Sequence, residues 1–181
     1  MQTPGRKTNN SPRRARLVWV VFINGFGTIA LLALLAMLWR VPLVFPSLGP
    51  TAFLLFASPD APSACPRNTL CGHAIGILCG YGALWLTGLQ HAPSAMVEGV
   101  NLARVAAAAL SLAFTGALMI LFDVVHSPAG ATTLIISLGI ITHPLYLLAI
   151  EAAVGLIVIQ AIAVHRLRGV AYPLWSPGNV R

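Results

Sequence analysis

The sequence predicts an all-α, polytopic helical membrane protein: four long transmembrane helices plus two short broken or re-entrant helices, arranged in two internal repeats. Three observations carry this. Charged residues make up 8% of the chain and apolar residues 57%, whereas a soluble domain carries about 25% charged residues. So few charges cannot cover the surface of a soluble domain this long. Four apolar stretches, Leu17–Trp39, Arg67–Gln90, Glu98–Phe122 and Leu145–Val164, are each long enough to span the roughly 30 Å hydrocarbon layer as a helix. Between them stand two short apolar stretches interrupted by Pro and Gly.

Residues 1–16 are polar and basic, and read as a disordered tail. Arg13-Arg14 is only loosely like a twin-arginine signal, and the apolar run behind it is too long for a signal-peptide core. The transmembrane domain runs over 17–168, and 169–181 is a C-terminal tail; Arg166, Arg168 and Arg181 make the end of the chain basic. Basic residues on both tails place both termini in the cytoplasm of a bacterial cell, with the chain in its inner membrane. The same distribution accounts for the net charge of +7 without a nucleic-acid partner, since no folded domain remains to read one.

Leu17–Trp39 carries no charge and ends at Trp39 and Arg40, residue types that anchor at the interface. Pro42, Pro46, Gly49 and Pro50 break the next stretch, leaving Pro50–Ala57 as a short helix that at about 1.5 Å per residue cannot cross alone. Arg67–Gln90 carries Gly72, Gly76 and Gly80 at four-residue spacing, a small-residue stripe that lets another helix approach closely in lipid. Glu98–Phe122 follows, with Arg104 near its start. A second short helix is expected over Pro128–Ile141, and Leu145–Val164, containing Glu151, completes the set.

The pattern long, short, long occurs twice, and a shift of 81 lays Gly49-Pro50-Thr51 on Gly130-Ala131-Thr132. Paired short, interrupted segments in the two halves of a membrane chain mark the binding site of a repeat-built transporter. If the short segments cross with help from extended backbone, the chain has six crossings and inverted repeats. If they are re-entrant, it has four crossings and parallel repeats. The six-crossing alternative brings Arg104 and Glu151 to similar depth, where they could pair.

His126-Ser127-Pro128-Ala129-Gly130-Ala131-Thr132-Thr133 is the chemically richest stretch. Pro128 suits the first turn of a helix and Ser127 suits its N-cap. A helix N-terminus carries roughly half a positive charge and about four unpaired N–H groups. Inside a membrane those groups must meet protein, water or a ligand. The expected substrate site therefore joins His126, Ser127, Gly130, Thr132 and Thr133 to Gly49 and Thr51 of the first short helix, with His73 as a second ring. An imidazole with a reference pKa of about 6.5 could add a switchable positive charge. His91, His143 and His165 lie at segment ends and read as interfacial.

The same motif resembles the HPP family of integral membrane proteins, named for a His-Pro-Pro motif continuing into Ala-Gly-Ala. Ser47-Leu48-Gly49-Pro50-Thr51-Ala52, Pro66-Arg67-Asn68 and Gly72-His73 add to the likeness, which covers about residues 17–168. Ser127 departs from the pattern, standing where the family has its first Pro. The resemblance implies transport of a small anion, with a plant plastid branch linked to nitrite movement.

The expected function is thus a transporter or channel for a small solute, a small inorganic anion such as nitrite. The alternatives are a neutral-solute channel and a structural or partner-binding membrane protein without transport. No enzyme is expected, because neither GxSxG nor HExxH occurs. No metal is expected, because no two histidines stand at i, i+4. Cys65, Cys71 and Cys79 show no CxxC spacing and read as free thiols. No cofactor is expected. The expected partners are membrane lipids and the small anionic solute, and a homo-oligomer is left open.

Overall fold

The computed structural model describes residues 11–177, all helix and connecting segment. Seven α-helices follow in order: α1 Ser11–Trp39, α2 Leu48–Ala57, α3 Pro66–Leu86, α4 Ala95–Glu98, α5 Leu102–Leu121, α6 Ala129–Ser137 and α7 Pro144–Leu167, with a 3₁₀ turn at Pro62–Ala64. Four of them, α1, α3, α5 and α7, are long and apolar enough to cross a membrane. Large apolar side chains such as Phe22, Phe26, Leu78, Phe114 and Ile120 are exposed on the outside of the bundle, as a lipid-facing surface requires.

Several boundaries differ from expectation. Helix α1 begins at Ser11, which corrects the disordered-tail reading for residues 11–16: Pro12 falls in the first turn, where proline is tolerated, and Arg13, Arg14, Ala15 and Arg16 are good helix formers; residues 1–10 lie outside the described residues. Helix α3 stops at Leu86 rather than Gln90, where Gly88 takes a left-handed φ of 70°. The third long segment does not start at Glu98. Gly99 at φ 79° ends the short α4, and α5 starts three residues later at Leu102, with the Asn101 side chain at its N-cap accepting a hydrogen bond from the Arg104 N–H. Helix α6 ends at Ser137 rather than Ile141, because Gly139 at φ 77° turns the chain.

The direction of each segment follows from its neighbours. Arg13 and Arg16 of α1, Ala57 at the end of α2, and Arg168 just after α7 line one cavity, so these ends share the tail side of the bundle. Trp39, Val41 and Leu43 line another cavity with Leu145 and Leu148 at the start of α7, so these share the far side. The chain from Val41 to Ala57 thus runs from the far side back to the tail side, non-helical over its first half and helical over its second. In the other half, the Arg67 side chain donates to the Phe122 carbonyl at 3.1 Å on the tail side, and Arg104 of α5 reaches Ser137 at the end of α6. The segment from Phe122 to Ser137 therefore also runs through the bundle, in the opposite direction. Together with the four long helices this makes six passes through the thickness of the bundle.

The glycine stripe explains how α6 sits against α3. A Cβ on Gly72 would stand 2.7 Å from the His126 Cβ, one on Gly76 2.8 Å from the Ala129 carbonyl, and one on Gly80 2.8 Å from the Thr133 carbonyl. The stripe is a track on which the backbone of α6 lies in register, with His126 beside Gly72, Ala129 beside Gly76 and Thr133 beside Gly80. This is the close approach that small-residue spacing permits in lipid. On the other side, Leu48, Leu55 and Phe56 of α2 pack with Ile150, Val154 and Ile157 of α7 in the buried apolar core.

Candidate functional site

Half-helices α2 and α6 both begin inside the bundle, and their first turns are built alike. Leu48 N–H donates to the Phe45 carbonyl at 3.0 Å, and Ala129 N–H donates to the His126 carbonyl at 3.0 Å. Gly130 and Ala131 N–H groups likewise donate to the Ser127 and Pro128 carbonyls. The N-terminal N–H groups of α6 are therefore engaged in tight i→i−3 turns, which corrects the expectation that they stand free. Ser127 is corrected as well: α6 is preceded by Pro128 with no side-chain cap, and Ser127 is exposed. A proline with its ring-fixed φ starts the turn by itself, so the hydroxyl has no capping work to do.

What meets between the two half-helices is a chain of side chains. His73, from α3, holds Thr51 of α2 with Nε2 at 2.8 Å and Thr132 of α6 with Nδ1 at 2.8 Å. His126 lies next to it, ring centroids 5.1 Å apart. Its Nδ1 is 2.7 Å from the Ser63 carbonyl and its Nε2 is 3.3 Å from Thr51 Oγ1. Thr51, His73, His126 and Thr132 are all 0% exposed.

The partners assign the protons. A carbonyl oxygen only accepts, so His126 carries its proton on Nδ1 and donates to Ser63. In the neutral ring, Nε2 is then an acceptor facing Thr51. Thr51 Oγ1 also lies 3.0 Å from the Ser47 carbonyl, and its single proton can serve either that carbonyl or His126 Nε2. With that proton committed, His73 donates to Thr51 from Nε2 and accepts the Thr132 hydroxyl proton at Nδ1. The cluster is one proton short of satisfying every acceptor around Thr51. Ser47 Oγ, fully buried one turn earlier, has no hydrogen-bond partner among the described residues. Leaving polar groups in this state inside an apolar bundle costs about 1–3 kcal/mol each.

The sequence profile described as "HPP, transmembrane region" matches residues 10–173. The chain belongs to this HPP membrane family. No curated protein and no solved structure matches it. Membership covers all six passes and the whole His–Thr cluster of this HPP protein.

The other expected site residues separate from the cluster. Thr133 is buried but accepts from Thr115 of α5 at 3.1 Å rather than facing a histidine. Gly49 is exposed, with nothing within 4 Å of where its Cβ would be. Gly130 is half-buried against Leu112. His91 and His143 are exposed, but His165 is fully buried. Its Nε2 donates to the Leu55 carbonyl at 2.9 Å and its ring stacks on Tyr172. The reading of His165 as interfacial is corrected, because the segment after α7 folds back over it. Tyr172 also donates to the Ala64 carbonyl, so the turn carrying Ser63 is pinned from both sides.

Arg104 and Glu151 do not pair. Arg104, almost fully buried, donates to the Ser137 carbonyl at 3.1 Å and the Pro93 carbonyl at 2.7 Å. It satisfies the carbonyl end of α6, where a cation also meets the negative pole of the helix. Glu151 Oε2 is buried without a partner among the described residues. Ser47, Ser63 and Thr115 were missed as members of these networks. Ser47 stood in the quoted motif, but Ser63 takes part through its backbone, which no side-chain pattern signals. All three cysteines are free, and the Cys65 sulfur accepts from the Asn68 N–H at the start of α3.

Proposed function

We propose that this HPP protein is a transporter or channel for a small solute, most suitably a small inorganic anion, which passes between the N-terminal ends of α2 and α6. The observation that carries this reading is the buried bridge Thr51–His73–Thr132, in which one imidazole joins the first turns of two half-helices. Both helix ends direct the positive pole of their dipoles at the bridge. The groups around it can all donate: three hydroxyls and two rings. None of the four acidic residues, Asp60, Glu98, Asp123 and Glu151, hydrogen-bonds to it. Opposed half-helices in six passes, with equivalent first turns at Leu48 and Ala129 and equivalent threonines at Thr51 and Thr132, support the inverted-repeat alternative.

The missing proton gives the chemistry a direction. A proton on His126 Nε2 would donate to Thr51 and free the Thr51 proton for Ser47. The ring would then carry a charge that only a nearby anion can compensate at low cost. Anion and proton thus favour each other's presence at the site. Ser47 Oγ, unpartnered, is a ready hydroxyl for the anion. The basic tails support a cytoplasmic location for both termini, and a bacterial inner membrane as the setting.

The test is flux of nitrite, as the first anion, in liposomes holding the purified protein. Wild-type flux is expected to fall as pH rises, because the site holds an anion best with a protonated ring beside it. Thr132→Val and His73→Ala are expected to lower it about tenfold or more, the equivalent of one strong hydrogen bond. Folded variants that carry anions at the wild-type rate at every pH would give the site a structural role instead. Wild-type protein that passes urea or glycerol but no anion would favour a neutral-solute channel.

A further inference from the structure

We propose that the tail-side pocket between α1, α2 and the end of α7 is a binding site for an anionic phospholipid. The pocket, about 310 Å³, is lined by Arg13 and Arg16 from one end of the chain and Arg168 from the other, with Leu17, Ala57 and Val170. Leu17 and Ala57 also line a second cavity of about 410 Å³, whose other walls are Val18, Val21, Phe22 and Phe53, with Arg14 at its edge. A basic pocket therefore opens directly onto an apolar groove.

Neither half of this arrangement calls for it structurally. None of the chain's four acidic residues lines either cavity, so the three arginines line the pocket without a carboxylate among its walls. Like charges gathered in a pocket repel unless an anion joins them. Val18, Phe22 and Phe53 are largely exposed, on α1 and α2 where the bundle meets lipid. The ligand must place an anionic group in the pocket and hydrocarbon along the groove. A phospholipid with a negatively charged headgroup does both, whereas a free phosphate fills only the first and a zwitterionic lipid adds its own cation to a pocket already positive. Clusters of arginine at the tail-side membrane surface are the expected partners of anionic headgroups.

The experiment uses full-length protein, stripped of lipid in a neutral detergent, and follows thermal stability on titration. The probes are phosphatidylglycerol, phosphatidylcholine with the same chains, and inorganic phosphate. Phosphatidylglycerol is expected to stabilise the protein saturably, and the other two are not. Arg13→Gln, Arg16→Gln and Arg168→Gln are each expected to weaken phosphatidylglycerol roughly fivefold, while Arg166→Gln, exposed at the same end outside the pocket, is expected to leave it unchanged. These are surface side chains, and the single variants retain a readout should the triple variant misfold. Equal stabilisation by phosphatidylcholine, equal stabilisation by phosphate, or an unchanged phosphatidylglycerol titration in the folded variants would each overturn the proposal.

Discussion

The two half-helices begin alike and are held differently. Helix α6 lies with its backbone on bare glycine, its Ala129 and Thr133 carbonyls closer to α3 than any side chain would allow, and its far end is gripped by Arg104. Helix α2 has no such track. Its first turn at Gly49 and Pro50 is exposed, its core contacts are ordinary apolar side chains, and its far end is held by one hydrogen bond from His165. A backbone seated on a backbone has one position, whereas side-chain packing tolerates small sliding. The difference divides the site: Thr132 is carried by the fixed element and Thr51 by the one freer to shift, with His73 between them.

The largest effect that would break this contrast lies in the glycine track. Gly76→Ala puts a methyl 2.8 Å from the backbone oxygen of Ala129, and neither helix can yield locally. We expect a loss of about 1–3 kcal/mol, read as a clear fall in melting temperature, and no folded protein for Gly76→Leu. Gly82, on the same helix, has nothing within 4 Å of its Cβ position. Gly82→Ala is expected to stay within about 0.5 kcal/mol of wild type. Equal melting temperatures for the two alanine variants would show that α6 is not seated as described.

The second comparison is between the two far ends. Arg104→Met removes both donors to the Ser137 and Pro93 carbonyls, leaving the buried Ser137 oxygen at the end of α6 without this donor at a cost of about 1–3 kcal/mol. His165→Phe keeps the stacking partner for Tyr172 but removes the single bond to Leu55, at about 1 kcal/mol. The order is expected to hold in thermal unfolding. A His165 variant as damaging as the Arg104 variant would place α2 under a grip like that of α6.

How far the sequence disclosed this arrangement depends on the range of the interaction. The long spans, the two short helices and the close-packed glycine face follow from hydropathy and spacing, which are local. His73, His126, Thr51 and Thr132 could be named because ionisable and hydroxyl residues are scarce in an apolar chain. What was hidden were partners set by the three-dimensional path. Arg104 was matched to Glu151 by charge, but it takes carbonyls at a helix end, which every helix has and no letter marks. Ser127 looked like a cap, yet Pro128 and the i→i−3 turns left the hydroxyl outside. His165 reads as interfacial because its segment ends there, and it is the packing of α2 on one side and the fold-back of Tyr172 on the other that bury it.

The smallest effects test what the half-helix ends offer to a solute. Gly49 and Gly130 hold equivalent places in the two first turns, and neither needs glycine for space: a Cβ on Gly49 meets nothing, and one on Gly130 meets only Leu112 Cδ1 at 3.4 Å. Neither has a left-handed φ. Gly49→Ala and Gly130→Ala are therefore expected to change stability by no more than about 0.5 kcal/mol. Their effect on flux separates two ways of holding an anion. If backbone N–H groups at the helix ends bind it, a methyl on either glycine obstructs the approach and lowers flux. If the hydroxyls and rings bind it, flux is unchanged. Because the Gly130 N–H already donates to the Ser127 carbonyl at 3.0 Å, we expect the second result, with flux in both alanine variants at the wild-type level while Thr132→Val falls well below it.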